Sequence, residues 1–272
     1  MAADVIRPLQ YVEVEPSPAL SDIVMSYWGF RVHALPTPDF VHRVWPDGCA
    51  SLVMGFMKNA PTISIVVGAS IVAGAVPVYA GDQYWGIRFR PESGAVSCGR
   101  DAKTLRDGRF LAVDVFGEGM HTLIADIQSL IDPDAVARVM DAWLLQRRVH
   151  ADAIDVLVRR AVQHIVHTDG TCSMQDVADA LQVGPRQLQR RFRAATGLTP
   201  KEYANIRRAR AALKRVALGE SSGVLGGWAR LAAESGYADQ AHLTREWTRL
   251  MTVTPTVMSS RLDDIAHDRL VD

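Results

Sequence analysis

The chain is poor in the residues that redox and metal chemistry need. It has three cysteines, Cys49, Cys98 and Cys172, with no short spacing between any two. That argues against a disulfide framework and a zinc knuckle, and it fits a reducing compartment. His33, His42, His121, Cys49 and Cys98 form no H-x-H, H-x3-H or H-E-x-x-H pattern, so no two of them are set to share a metal from one face. No metal, no cofactor and no catalytic residue is expected. An excess of one charge is also lacking, because 30 Lys+Arg balance 30 Asp+Glu, which taken alone argues against a nucleic-acid partner. The first twenty residues carry Asp4, Glu13 and Glu15 and no apolar run of the kind a secretory signal needs, so a cytoplasmic location is expected. One uncharged stretch, Ala60 to Gly81, approaches the length of a membrane span. Pro61, Gly68, Gly74 and Pro77 interrupt it and its apolar residues are mostly β-branched, which predicts buried strands and turns and no membrane contact.

What is present is a division in two. A length of 272 residues suffices for two ordinary domains. Split at residue 150, the neutral total separates into a net charge of −3 for residues 1–150 and +3 for residues 151–272. Between Arg186 and Arg215 ten basic residues face a single acid, Glu202, so overall neutrality conceals a basic stripe. The expectation is a multidomain α+β chain, with a β-rich domain over 1–150 and an all-α domain over 151–272.

In the first part, short apolar runs alternate with turn signals. Val24–Val32, Ala50–Phe56, Ile63–Val67, Val76–Tyr79 and Trp85–Arg90 read as strands, and Pro46-Asp47-Gly48 reads as a β-turn. Together they suggest a small sandwich or barrel. From Gly119 the period becomes helical, with Leu123, Ile124, Ile127, Leu130 and Ile131 and then Val136, Val139, Met140, Trp143 and Leu144, giving helices at about 119–148. These helices either cover the barrel's own core or pack on a partner or second subunit. Trp28, Arg43, Trp45, Trp85, Arg88 and Arg90 lie near strand positions and are the candidates for lining a small-molecule pocket; core or rim packing is the alternative for each.

The last third repeats itself. Val177-Ala178-x4-Val183, then Leu188-x3-Phe192-x5-Leu198-Thr199-Pro200, is answered by Leu231-Ala232-x4-Tyr237, then Leu243-x3-Trp247-x5-Val253-Thr254-Pro255. Each copy is a helix, a short turn and a second helix, over about 173–196 and about 228–250, joined by a continuous helix of about 201–218. A further amphipathic helix over Ala151–His167 precedes them. Ser173 with Asp176 makes a capping box, Pro185 suits a first helical turn, Gly236 suits a left-handed turn and Asp239 an N-cap. In the first copy Leu188, Phe192 and Ala195 form the inward stripe, leaving Arg186, Gln189, Arg190 and Arg193 on an outward face without acids. In the second, Leu243, Trp247 and Leu250 point inward and Gln240, Thr244 and Arg245 outward. Arginine can grip guanine O6 and N7, and glutamine adenine N6 and N7, which is what a major-groove reader needs. Eighteen residues of joining helix span roughly 27 Å, close to the ~34 Å between successive major-groove faces, so both copies could engage one side of a duplex.

Gly184-Pro-Arg-Gln-Leu-Gln-Arg-Arg-Phe192, Gly197-Leu-Thr-Pro200 and Glu234-Ser-Gly-Tyr-Ala-Asp-Gln-Ala-His-Leu-Thr-Arg245 resemble the AraC/XylS family of bacterial transcription regulators. The resemblance covers about Ser173 to Arg261 and implies a sequence-specific regulator that places both second helices in adjacent major grooves of double-stranded DNA. It implies base-facing roles for Arg186, Gln189, Arg190, Gln240, Thr244 and Arg245. Two departures stand out: Ser221–Gly227 where relatives carry a shorter cap, and Met251 at a position that is frequently glycine. More loosely, Trp45-Pro-Asp-Gly-Cys-Ala-Ser-Leu-Val53 and Gly86-Ile-Arg-Phe-Arg-Pro91 resemble the cupin-like sensory domains found ahead of such modules, which implies a small-molecule effector and leaves a homodimer and RNA polymerase as further partners. Two other readings stay open, a barrel enzyme directed to DNA and an effector-independent regulator whose first domain only makes protein contacts.

Overall fold

A computed structural model describes residues 8–38, 40–147, 153–218 and 227–259. The first part is built on a six-stranded antiparallel sheet in the order β1-β2-β7-β4-β5-β8. Its strands are β1 Leu9–Val14, β2 Val24–Val32, β4 Ser51–Phe56, β5 Ile63–Val67, β7 Gln83–Phe89 and β8 Arg109–Leu111. A second sheet of two strands pairs β3 Val41–Val44 with β6 Gly74–Pro77. The uncharged stretch Ala60–Gly81 thus holds β5 and β6, and no helix among the described residues is long and apolar enough to cross a membrane.

The large sheet is buried on both faces, which its β-branched and aromatic content allows. On one face Tyr27, Trp85, Ile87, Phe89, Leu52 and Met54 meet Phe116, Met120, Leu123, Val136 and Met140 in a single core. Those covering residues come from α3 Ala112–Phe116, α4 Gly119–Ile127 and α5 Pro133–Gln146; two shorter helices, α1 Gly94–Cys98 and α2 Ala102–Leu105, precede them. The amphipathic helices near 119–148 therefore cover the domain's own sheet. On the opposite face β3 and β6 pack His42 and Val76 against Phe30 and Tyr84, the His42 and Phe30 rings stacking at 4.3 Å. Farther along that face Trp28, Val53 and Ile65 are half-buried.

The second part is all helical: α6 Val156–His167, α7 Met174–Ala180, α8 Pro185–Thr196, α9 Pro200–Ala217, α10 Gly227–Glu234, α11 Gln240–Met251 and α12 Pro255–Ser259. α6 starts five residues later than the sequence suggests, where the Asp155 carboxylate caps the amides of Leu157 and Val158; residues 151 and 152 lie outside the described residues, as does most of Ser221–Gly227.

The joining helix α9 runs as expected but is largely buried, with Lys201 its one exposed residue. Ile206 and Tyr203 belong to the core of the first helical pair, and Ala209, Ala212, Leu213 and Val216 to that of the second. The N-terminal domain covers the remainder. Trp45, a pocket candidate from sequence, is 4% exposed and sits in the second pair's core beside Ala209 and Trp247. Gly48, at φ 77°, lets the 45–49 loop lie on the Tyr203 ring; a Cβ there would come within 2.6 Å of it. Ala73 N–H donates to the Leu250 carbonyl at 2.7 Å, and Arg106 binds both Glu202 carboxylate oxygens, at 2.8 and 3.2 Å. Charge pattern alone reads arginine as surface, but Arg208 and Arg210 find the inside of a three-way junction.

Candidate nucleic-acid interface

The two helical pairs are held by the signals their sequences carry. Ser173 and Asp176 form the reciprocal capping box that opens α7, at 3.1 Å in both directions. Pro185 begins α8 behind Gly184, and Leu188 and Phe192 are buried against Val177, Ala178 and Tyr203. That packing fixes the helix's rotation and leaves Arg186, Gln189, Arg190 and Arg193 exposed on its outer face. No acid faces them on α8. Arg191, on the other side, is tied to Asp155 through two hydrogen bonds, the longer 2.7 Å. Burial pushes the Asp155 carboxyl up, but Arg191 and the Val158 and Leu157 amides together hold it below the usual range.

In the second pair Gly236 takes the turn at φ 69° and the Asp239 carboxylate accepts from the His242 amide at 2.6 Å, capping α11. Leu243, Trp247 and Leu250 are buried, while Gln240 and Arg245 are exposed and Thr244 half-exposed. Two of these outward groups turn back onto their own helix: Thr244 Oγ1 donates to the Gln240 carbonyl at 2.9 Å and Arg245 Nε to the Ala241 carbonyl at 3.3 Å. After α11 the left-handed cap is Thr252, at φ 59°, the counterpart of Gly197 at φ 77° after α8. Met251, which the sequence suggested for the glycine position, is instead the buried last residue of α11.

A network legible only in three dimensions fixes α11 on α9. Arg208 donates to Glu246 at 2.7 Å and to the Gly236 carbonyl at 3.2 Å, and its guanidinium lies 4.5 Å from the Tyr237 ring centre. Asn205 Nδ2 donates to the other Glu246 oxygen at 3.2 Å. The turn of the second pair and the inner side of α11 are thereby pinned to the helix that also packs on the first pair.

The remaining pocket candidates do not converge. Trp28 and Trp85 lie on opposite faces of the large sheet, each over the glycine across from it, Gly86 and Gly29. Trp85 is core, and Trp28 stays half-buried on the face with Val53 and Ile65. Arg88 is 3% exposed within an internal network with Glu13 at 2.6 Å, Asp47 at 3.0 Å and the Tyr11 hydroxyl at 2.9 Å. Burial lowers the affinity of Arg88 for its proton, yet Tyr11, Asp47 and Glu13 outweigh this and keep it charged. Arg43 reaches Thr252 beyond α11 at 2.8 Å, and Arg90 binds the Ser21 carbonyl.

Two family models match separate parts of the chain. Residues 177–261 match the family model described as a helix-turn-helix domain, and residues 12–110 match a domain of unknown function, DUF6597. A search of curated proteins gave no match. Among solved structures, the C-terminal domain of AraT, a response regulator from Geobacillus stearothermophilus, is 21% identical at a TM-score of 0.35 and covers 39% of this chain and 85% of its own. ToxT from Vibrio cholerae O395 is 10% identical at a TM-score of 0.45, covering 94% and 98%. With two capped helix-turn-helix pairs on one shared helix behind a sheet-rich domain, residues 177–261 form the helix-turn-helix domain that the family model describes, and the chain is a DNA-binding transcription regulator.

Proposed function

We propose that α8 and α11 enter adjacent major grooves of one duplex, with Arg186, Gln189, Arg190 and Arg193 reading from the first and Gln240, Thr244 and Arg245 from the second. The observation that carries this is the outer face of α8, exposed, wholly basic or amide-bearing and held by no ion pair or hydrogen bond among the described residues. The first reader dominates and the second tunes affinity, because Arg245 and Thr244 must release their own helix before they can reach a base. Arg190→Ala is expected to cost ~1–3 kcal/mol on the specific site and to blur preference at one position, with Arg245→Ala at the low end of that range. Selection from randomised duplexes at fixed salt checks it, and unchanged affinity and preference in the Arg190 variant would remove the assignment.

The functional domains run over 1–150 and 151–272, and the N-terminal one acts in the cytoplasm as a sensor for a small molecule, without catalysis. The half-buried wall of Trp28, Val53 and Ile65 supports a pocket there, and the close packing of the 45–49 loop on α9 gives it a mechanical route to both readers. A ligand favouring one arrangement of loop and α9 would shift operator affinity by its differential affinity for the two. Operator binding measured against a panel of small molecules tests this reading; no compound changing it would count against a sensor. Sedimentation with and without operator tests for a homodimer, and co-purification for contact with RNA polymerase.

A further inference from the structure

Three hydrogen-bond donors on the domain-facing side of α9 have no acceptor among the described residues. Tyr203, Arg207 and Arg210 follow one another at i, i+4 and i+7 and so share one face of the helix. Arg210 is 9% exposed, and its Nε, the Arg207 Nε and the Tyr203 hydroxyl are each buried without a hydrogen-bond partner. Among the described residues no carboxylate approaches either guanidinium to ion-pair distance, although Asp47 lies within electrostatic reach of Arg210. Asp47 is already engaged: one oxygen accepts from Arg88 at 3.0 Å, the other from the Cys49 amide at 2.9 Å. Glu13 is likewise taken by Arg88 and the Tyr11 hydroxyl. The guanidinium groups of Arg88, Arg207 and Arg210 therefore share a region with Asp47 and Glu13, both engaged by Arg88, while Glu92 acts on Tyr203 from farther off. A buried N–H left without an acceptor is unfavourable, so each of these three groups gains by meeting one.

We propose that Tyr203, Arg207 and Arg210, closed by the 45–49 loop, bind the oxyanion group, carboxylate or phosphate, of a small-molecule ligand. The proposal rests on the sensory reading above and gives that effector its chemical class. Burial pulls the Arg210 guanidinium below its ordinary value, with Arg88 and Arg207 adding to the effect and Asp47 opposing it, so an arriving anion would relieve a standing repulsion. The donors fit such a group: two guanidinium N–H groups and a phenol can together supply three charge-assisted bonds to one oxyanion. Their place matters as much as their chemistry, because α9 carries the cores of both helical pairs, and a ligand held between it and the 45–49 loop would set how the sensor grips both readers.

The test uses the full chain and three probes at matched ionic strength: benzoate, its neutral analogue benzyl alcohol, and inorganic phosphate. Thermal unfolding is followed for the wild type, for Arg210→Gln and for Tyr203→Phe, which keeps the ring that packs on Gly48 and Phe192. Benzoate or phosphate is expected to raise the wild-type Tm, with an apparent Kd that rises on the order of tenfold or more in Arg210→Gln and a fewfold in Tyr203→Phe. Response to benzoate alone identifies a carboxylate and response to phosphate alone a phosphate. If neither anion raises the wild-type Tm, or if Arg210→Gln and Tyr203→Phe respond as the wild type does, the oxyanion site is overturned. Benzoate and benzyl alcohol acting equally on wild type and Arg210→Gln would also overturn it, yet would leave the sensory pocket standing.

Discussion

Removing Glu246 isolates the contact that holds the second reader on α9. Its carboxylate is 18% exposed and faces an Arg208 side chain 8% exposed at 2.7 Å. Breaking one partner of a buried pair costs about 3–5 kcal/mol, because the surviving charge keeps its desolvation penalty. Here the survivor retains the Gly236 carbonyl, Asn205 and the Tyr237 ring, the last worth about 0.5–2 kcal/mol. Glu246→Ala is therefore expected to lose about 2–4 kcal/mol. The loss of the Arg249 contact at 3.8 Å adds little, since Arg249 is 48% exposed. Urea unfolding measures the change, and the double variant Arg208→Met with Glu246→Leu separates pair from packing. Its cost should fall well below the sum of the two single changes, as expected when residues in one network are coupled. In operator binding, Glu246→Ala should weaken the second half of the site and leave the preference set by α8 intact. A stability loss under about 1 kcal/mol, or strict additivity in the cycle, would refute the view that this network positions α11.

Two further outcomes follow from the junction. Trp45→Ala empties a site 4% exposed within the second pair's core and is expected to cost about 3–5 kcal/mol in urea unfolding; a loss under about 1 kcal/mol would mean the loop does not brace that core. The Arg106–Glu202 pair gives a pH signature. Burial pushes the Glu202 carboxyl up, but its bonds to Arg106 and Thr199 bring it below the ordinary 4.5, so its contribution is full above that value and fades as pH falls through it. The Tm deficit of Arg106→Leu should accordingly be largest near neutrality and shrink between about pH 5 and pH 3, and a deficit constant across that range would contradict the pairing.

The helical half was legible because its signals are local. Ser173 with Asp176, Pro185, Gly236 and Asp239 act within four residues of themselves, and the stripes Leu188–Phe192 and Leu243–Trp247 repeat at helical spacing. The strands with long apolar runs, β2, β4, β5 and β7, were equally plain. β1, with Gln10 and Glu13 in six residues, and β8, with three residues, are edge strands whose pairing comes from distant neighbours, and so they carry little signal of their own. The fate of the arginines was out of reach for the same reason. Arg208 becomes interior only because Glu246 lies opposite it, 38 residues away, and Trp45 becomes a core residue of a domain it does not belong to in sequence. Charge counting marks the whole stripe as basic, whereas the fold leaves the α8 arginines Arg186, Arg190 and Arg193 exposed and places those of α9 at the junction.

The shared helix also acts as a ruler. α9 runs eighteen residues between the two pairs, with cores attached at both ends and a domain clamped along its side. In a helix one residue added or removed advances the far end by ~1.5 Å and turns it by roughly 100°. A helix free in solvent could absorb such a slip by bending; this one, with its sides occupied, would present the second reader to the wrong side of the duplex. If α8 and α11 read one duplex as proposed, the length of α9 would set the tolerated spacing between the two halves of an operator, and a differently phased site would call for a change of that helix by whole turns.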